Sequence, residues 1–248
     1  MNRAANGVRR VPQLTGRDFE ALRWVGEQYA ARADVLAVLL ARLSPAEVPS
    51  GFVTERVVRR VLERWERAGL VRPLSMLGRR WAVPTSRGLA FADLFGPERP
   101  GSEPKPWEEW QPSGPRLGHV HAAAIVRLWA EAQSGTWRAE RWLRRDREDA
   151  RRRHLFDGTV TSAAGLTLGV EVELHQKPDR DLGRILRLMA KETERVPGVF
   201  YFTPAELVER IGRQLDRVGE QLGPEVRLPE LTVRQLPDVV GVSYAGRW

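Results

Sequence analysis

The chain has 248 residues, 42% of them apolar, with 40 basic and 32 acidic side chains and a formal charge of +8. That length allows one large domain or two small ones, and the absence of Cys excludes disulfides, zinc fingers and thiol nucleophiles. Nine Trp and seven Phe argue against wholesale disorder, and no apolar run nears the ~20 residues that span a bilayer. The start, MNRAANGVRR, has no apolar stretch of a secretory signal, so the expected location is the cytoplasm, with no membrane partner.

The basic excess is uneven. Residues 1–96 carry 16 Arg against 9 acidic side chains, whereas residues 97–248 carry 24 basic and 23 acidic ones. Arg makes up 37 of the 40 cations. Its planar fork pairs bidentately with phosphate and guanine, so an Arg-rich first part suits nucleic acid. A GC-rich genome accounts for the Arg-to-Lys ratio but not for the asymmetry.

Three helical patterns open the chain. The first runs from Leu14 to about Tyr29, with Thr15 as N-cap and Phe19, Leu22, Val25 and Tyr29 at helical spacing. The second is Ala33–Leu43, stopped by Ser44-Pro45. The third starts at Thr54 and ends at Gly69. Two short extended pieces, Leu70–Leu74 and Arg79–Pro84, flank Ser75–Gly78 and read as a hairpin. A helix over Ser86–Leu94 closes the segment.

This order of elements resembles a winged helix-turn-helix. The run VTERVVRRVLERWERAGLV carries the resemblance. Val57, Val58, Val61, Leu62 and Trp65 form one apolar stripe, and Arg56, Arg59, Arg60, Arg64 and Arg67 lie largely off it. A recognition helix packs on one side and reaches base edges on the other. Arg79 and Arg80 sit where a wing meets the DNA backbone, and Arg3, Arg9 and Arg10 form a basic arm. Two plainer readings stand beside this one. Glu55, Glu63 and Glu66 can pair with the arginines on a solvated helix, and winged helices also serve as protein-interaction modules.

Residues 96–117, rich in Pro and Gly, read as an extended linker between a domain over 1–95 and one over 118–248. Trp107 and Trp110 within it are expected to dock on a domain surface. His119–Gln133 reads as an amphipathic helix, followed by a short piece, Trp137–Leu143, and a charged turn or insertion, Asp146–Arg153. Strands are expected at His154–Thr161 and Leu166–Leu174. A helix over Asp181–Val196, a strand at Gly198–Phe202, a helix over Pro204–Leu222 capped by Thr203 and a strand at Leu231–Leu236 follow. The order predicts a mixed α/β sandwich with a crossover helix.

The polar residues of the second hairpin are the candidate chemistry. In GVEVELHQK, Glu171 and Glu173 alternate with Val170, Val172 and Leu174, so both carboxylates share one strand face. Pairing about residues 162–165 brings Asp157 opposite Glu171, and Lys177 has the parity of the glutamates. Three carboxylates and a cation suit Mg²⁺ or Mn²⁺, which takes one or two carboxylates plus waters and activates an attacking water. Glu140 is a possible fourth carboxylate, and His154 and His175 flank the cluster. With four His and no Cys, a His-based transition-metal site is not expected from His119 and His121. An edge strand with a polar outer face explains the alternation without any metal.

This second part resembles the PD-(D/E)XK nuclease superfamily in element order and acidic placement. The resemblance implies that Asp157 is the first acid and Glu171 the second, with both holding metal; Glu173 stands where Lys is usual. Some restriction enzymes of the superfamily carry Glu there, and a domain that has lost cleavage is the other reading. Lys177 then stands in for the usual lysine.

Over roughly residues 12–220 the chain is also similar to the replication-relaxation family of actinobacterial plasmids and integrative elements. Its members join a winged helix to a domain with a VEVEL-x-x-K-like strand. The expected function is duplex DNA binding in the replication, transfer or regulation of such an element, with a homodimer or a replication or transfer protein as further partners. A metal-dependent endonuclease or nickase is the alternative, and a non-catalytic recruitment module the second alternative. The helix over 204–222 is either a dimer interface or part of the core.

Overall fold

The structure, a computed structural model, describes residues 13–46, 48, 50–76, 78–92, 113–145 and 154–239. Arg3, Arg9 and Arg10, most of the expected linker with Trp107 and Trp110, and the charged run 146–153 lie outside the described residues. The protein is mixed α and β, with two sheets.

The first part begins with α1 (Gly16–Glu27). Thr15 caps it in a reciprocal capping box: its hydroxyl accepts from the Asp18 amide, and the Asp18 carboxylate accepts from the Thr15 amide. A two-residue strand, β1 (Ala31–Arg32), leads into α2 (Ala33–Arg42). Then come α3 (Glu55–Arg67), the hairpin β2 (Val71–Met76) and β3 (Arg79–Pro84), and the short α4 (Ser86–Phe91). The sheet order is β1-β3-β2, all antiparallel. Leu22, Val35, Leu36, Leu40, Val61, Trp65 and Leu70 build the core that joins these helices.

Helix α5 (Gly114–Ala132) starts inside the expected linker and ahead of the expected boundary at residue 118. Pro115 stands in its first turn, where a missing N–H costs nothing and the fixed φ suits a helix, and Leu117 is fully buried. Nor is α5 one-sided. Ala124, Ile125 and Leu128 belong to the core of the first part, whereas Ala122, Ala123, Val126 and Ala130 pack on the second sheet. A helix apolar on both sides is buried between two layers. The two halves therefore share a core element.

The second sheet orders β4 (Thr136–Ala139), β5 (Gly158–Thr161), β6 (Thr167–Val172), β7 (Gly198–Thr203) and β8 (Glu230–Gln235) from edge to edge. A short helix, α6 (Glu140–Arg145), follows β4. The first three strands form an antiparallel meander, and β6, β7 and β8 run parallel. Parallel neighbours need crossovers, which α7 (Asp179–Ala190) and α8 (Val208–Gln221) supply. Both pack on the face opposite α5, over Val199, Tyr201, Leu231 and Val233. Ile211, Leu215 and Val218 of α8 are taken up by that core, which makes the helix a core element.

Three expected boundaries move. Helix α7 ends at Ala190, not near Val196. Thr203 finishes β7 and caps nothing: a single 3₁₀ turn over Ala205–Leu207 precedes α8, and no side chain caps that turn. The strand expected from His154 begins at Gly158, so Asp157 stands just before β5.

Candidate functional site

Two places carry unusual chemistry. The first is the outer surface of α3 and the hairpin. Val58, Val61, Leu62 and Trp65 turn inward, which leaves Arg56, Arg59, Arg60 and Arg67 exposed. Arg56, Arg59 and Arg60 are three and four residues apart and so share a face. Arg79 and Arg80 open β3 and are exposed as well. A groove of about 520 Å³ lies between the starts of α2 and α3 and the hairpin, with Arg32, Asp34, Arg59, Arg79 and Arg80 in its walls. Arg59 makes only a long ion pair with Glu63, at 3.9 Å, and the other two glutamates of α3 are exposed and take none of these arginines. Arg56, Arg60, Arg79 and Arg80 make no ion pair among the described residues.

Arg64 departs from the expected set. Its guanidinium lies 2.5 Å from Asp18, whose side chain is wholly buried, and the Trp65 indole N–H donates to the same carboxylate oxygen at 2.7 Å. Burial opposes the charge of Asp18, but the donors from Arg64, Thr15 and Trp65 outweigh it and hold its pKa below the ordinary 3.8. Arg64 is thus a structural arginine that ties α3 to α1.

The second place is the end of the second sheet where β6, β7 and β8 finish. In open sheets with parallel strands, the crevice outside these carboxyl ends is the usual ligand position. Gly158 pairs with Val170, so the chain places Asp157 beside Glu171. The Asp157 amide donates to the Val170 carbonyl at 3.1 Å, and the Asp157 Oδ2 accepts from the Val172 amide at 2.8 Å. Val170 and Val172 face α5, and Glu171 takes the opposite face beside its register partner Tyr201. Glu173 lies just past β6, with its amide on the Phe202 carbonyl, and Lys177 forms an ion pair with it.

Two imidazoles complete the arrangement. His119 of α5 is 2.8 Å from Asp157 Oδ1 through its Nε2. His154 Nε2 is 2.6 Å from Glu171 Oε1, and both side chains are about nine-tenths buried, at 11% and 12% exposure. Burial and the charge of Asp157 push Glu171 above its ordinary pKa, against the pull of His154 and Lys177. Burial presses the His119 pKa down, but the hydrogen bond and charge of Asp157, with Glu171 and Glu140 behind it, raise it overall. Burial, then Glu171 and Asp157, lift the Tyr201 phenol well above its ordinary range.

The remaining candidates lie apart. Glu140 pairs with Arg144, and only its amide reaches Asp157, at the backbone carbonyl. His175 is exposed. His119 and the fully buried Thr203 were not legible as site residues. Thr203 follows Phe202 in the register that sets β7 beside β6, and so neighbours Glu173; its hydroxyl has no partner among the described residues.

The donor set is chemically suited to a hard divalent cation. Asp157 and Glu171 offer carboxylate oxygens, and Mg²⁺ needs only one or two of them when waters fill the rest. Among the described residues no group of three His, Asp or Glu side chains is gathered to hold a metal ion. The fit is that of a pair, in which a cation would offset the burial and the Asp157 charge that together raise Glu171. No protein-family model matches the chain, and no curated protein matches it in sequence.

Proposed function

We propose that the protein binds duplex DNA through α3 and the β2–β3 hairpin, as a winged helix-turn-helix. The observation that carries this is the set of exposed arginines without ion pairs among the described residues, Arg56, Arg60, Arg79 and Arg80, with Arg59 in the wall between them. Unpaired guanidinium groups on one surface cost self-repulsion and serve where phosphate neutralises them. The order helix, strand, helix, helix, hairpin, helix supports the winged-helix reading. Through its resemblance to the replication-relaxation family, the chain would act in the replication, transfer or regulation of a plasmid or integrative element.

The test is the affinity for duplex DNA as a function of salt, read by fluorescence anisotropy. Each phosphate contact contributes roughly 0.9 to the slope of log K against log salt. A slope near zero, or no duplex binding at low salt, would sink the proposal and favour a protein-recruitment surface.

A second reading rests on the carboxylate pair. The order helix, three-strand meander, helix, strand supports a PD-(D/E)XK-like domain. Asp157 and Glu171 would hold Mg²⁺ or Mn²⁺, which when bound activates water and shields a phosphodiester. The chain's own part is to keep both carboxylates fixed and largely buried, and to set the Lys177–Glu173 pair beside them. Supercoiled plasmid incubated with Mn²⁺ should be nicked by the wild type and not by Asp157→Ala. Intact plasmid from a protein that still binds DNA would favour a domain that has lost cleavage.

A further inference from the structure

Both acids of the pair are held by a histidine, and the two histidines come from different elements. His119 projects from α5, and His154 stands in the segment that leads into β5. We propose that His119 and His154 are positioning residues, each fixing one carboxylate of a divalent-cation site; the inference rests on the metal reading of Asp157 and Glu171.

The geometry is selective. Asp157 is gripped at both oxygens, by the Val172 amide and by His119, so neither torsion of its side chain is free. Among the described residues Glu171 has no backbone donor on its carboxylate, and His154 at 2.6 Å is its close partner. His154 is itself clamped edge-on against Phe156, with ring centroids 4.8 Å apart. A longer side chain such as Glu171, with three torsions, needs that clamp more than Asp157 needs His119. Donors behind metal-ligating carboxylates typically set affinity by about 10–100-fold. The buried hydroxyl of Thr203 beside Glu173, without a partner among the described residues, is an independent sign that this end of the sheet is built around something further.

A histidine that merely satisfied a buried carboxylate would affect stability alone. The test therefore separates donor from fold. Mn²⁺ binding is read directly by electron paramagnetic resonance on the full chain, with melting temperature measured beside it. His154→Ala should weaken Mn²⁺ binding by about 10–100-fold, and His119→Ala by less. His154→Gln should recover most of the loss, because its amide N–H reaches the place of Nε2. The more exposed His119 tolerates replacement, so His119→Ala and His119→Gln keep the test open if His154→Ala does not fold. Wild-type affinity in both alanine variants, or no rescue by glutamine in a folded protein, overturns the positioning role. A wild type that takes up no Mn²⁺ overturns the metal reading, and the inference with it.

Discussion

Arg60 and Arg64 stand one turn apart on α3, and replacing each by Ala should give opposite phenotypes. Arg64→Ala removes the guanidinium from a carboxylate with no solvent exposure, while the Trp65 and Thr15 donors remain. Breaking a buried pair by removing one partner costs about 3–5 kcal/mol, and the surviving donors place this case at about 3. For a chain of this size that lowers the melting temperature by roughly 6–12 °C. Its pH signature follows from Asp18, whose folded pKa is depressed. The stability from its contacts is present above the ordinary 3.8 and is lost as pH falls through the lower folded value. The gap between wild type and Arg64→Ala should therefore close in acid. Arg60→Ala should leave the melting temperature within about 0.5 kcal/mol of wild type and reduce the salt slope of DNA binding by about 1. Thermal melts and anisotropy titrations on both variants decide. An Arg64→Ala protein that melts like wild type but loses the salt slope would show that Arg64 reads DNA, and the division of α3 into two faces would fall.

The other expectations concern the acid pair, a tight contact and the shared helix. Glu171 has a raised pKa in the fold, so its contribution to stability is full below its ordinary 4.5 and fades as pH rises through the folded value. Glu171→Gln keeps an acceptor for His154 without the charge, so it should grow more stable relative to wild type as pH rises above the ordinary 4.5, read from urea midpoints. An unchanged difference as pH rises refutes the shift. A Cβ at Gly88 would meet the Leu70 carbonyl oxygen at 1.9 Å, so Gly88→Ala should cost about 1–3 kcal/mol in urea denaturation despite its better helix propensity. Wild-type stability there would mean that α4 can lift away from Leu70. Arg127, 7% exposed, lies 2.7 Å from Glu27 and 2.6 Å from Glu131. Arg127→Met leaves the buried Glu27 with the longer Arg23 pair at 3.6 Å and should cost about 3 kcal/mol, with circular dichroism and Trp fluorescence still giving one transition. Two separate transitions in the wild type would show that the halves fold independently.

Local chemistry made much of the fold legible. The Thr15 cap announces α1, and the stripe of Val58, Val61, Leu62 and Trp65 fixes which side of α3 is buried. Alternation in GVEVEL gives the face of Glu171, and the short hairpin gives its pairing with Asp157. What escaped depends on partners distant in sequence. Nothing near Arg64 reveals that Asp18 waits beneath it, and His119 meets Asp157 across 38 residues. The start of α5 escaped for a different reason. Pro115 follows a run of prolines and glycines, so a helix-starting proline looked like one more linker residue.

That misplaced start conceals how the two candidate sites are related. His119 and His121 sit two residues apart on α5, about 200° around the helix, and therefore on opposite sides. His119 meets Asp157 in the carboxylate pair. His121 lies edge-on to Trp81 of β3 and 4.0 Å from Asp34, which lines the arginine groove and holds Arg32. Burial, with Arg32 adding to it against Asp34, lowers the His121 pKa to about 4, so this imidazole is neutral near pH 7 and acts by packing. The same helix is bolted to α1 through Arg127 and Glu27, and to α2 through Arg42 on the Leu128 carbonyl. One helix thus has one side in the core of the first part and the other against the acid pair. A flexible tether would let the first part search DNA while the second waits at a distance. A shared core helix instead holds the two surfaces in one orientation, so that a duplex bound as proposed on the arginines would meet the carboxylates at a fixed place or not at all.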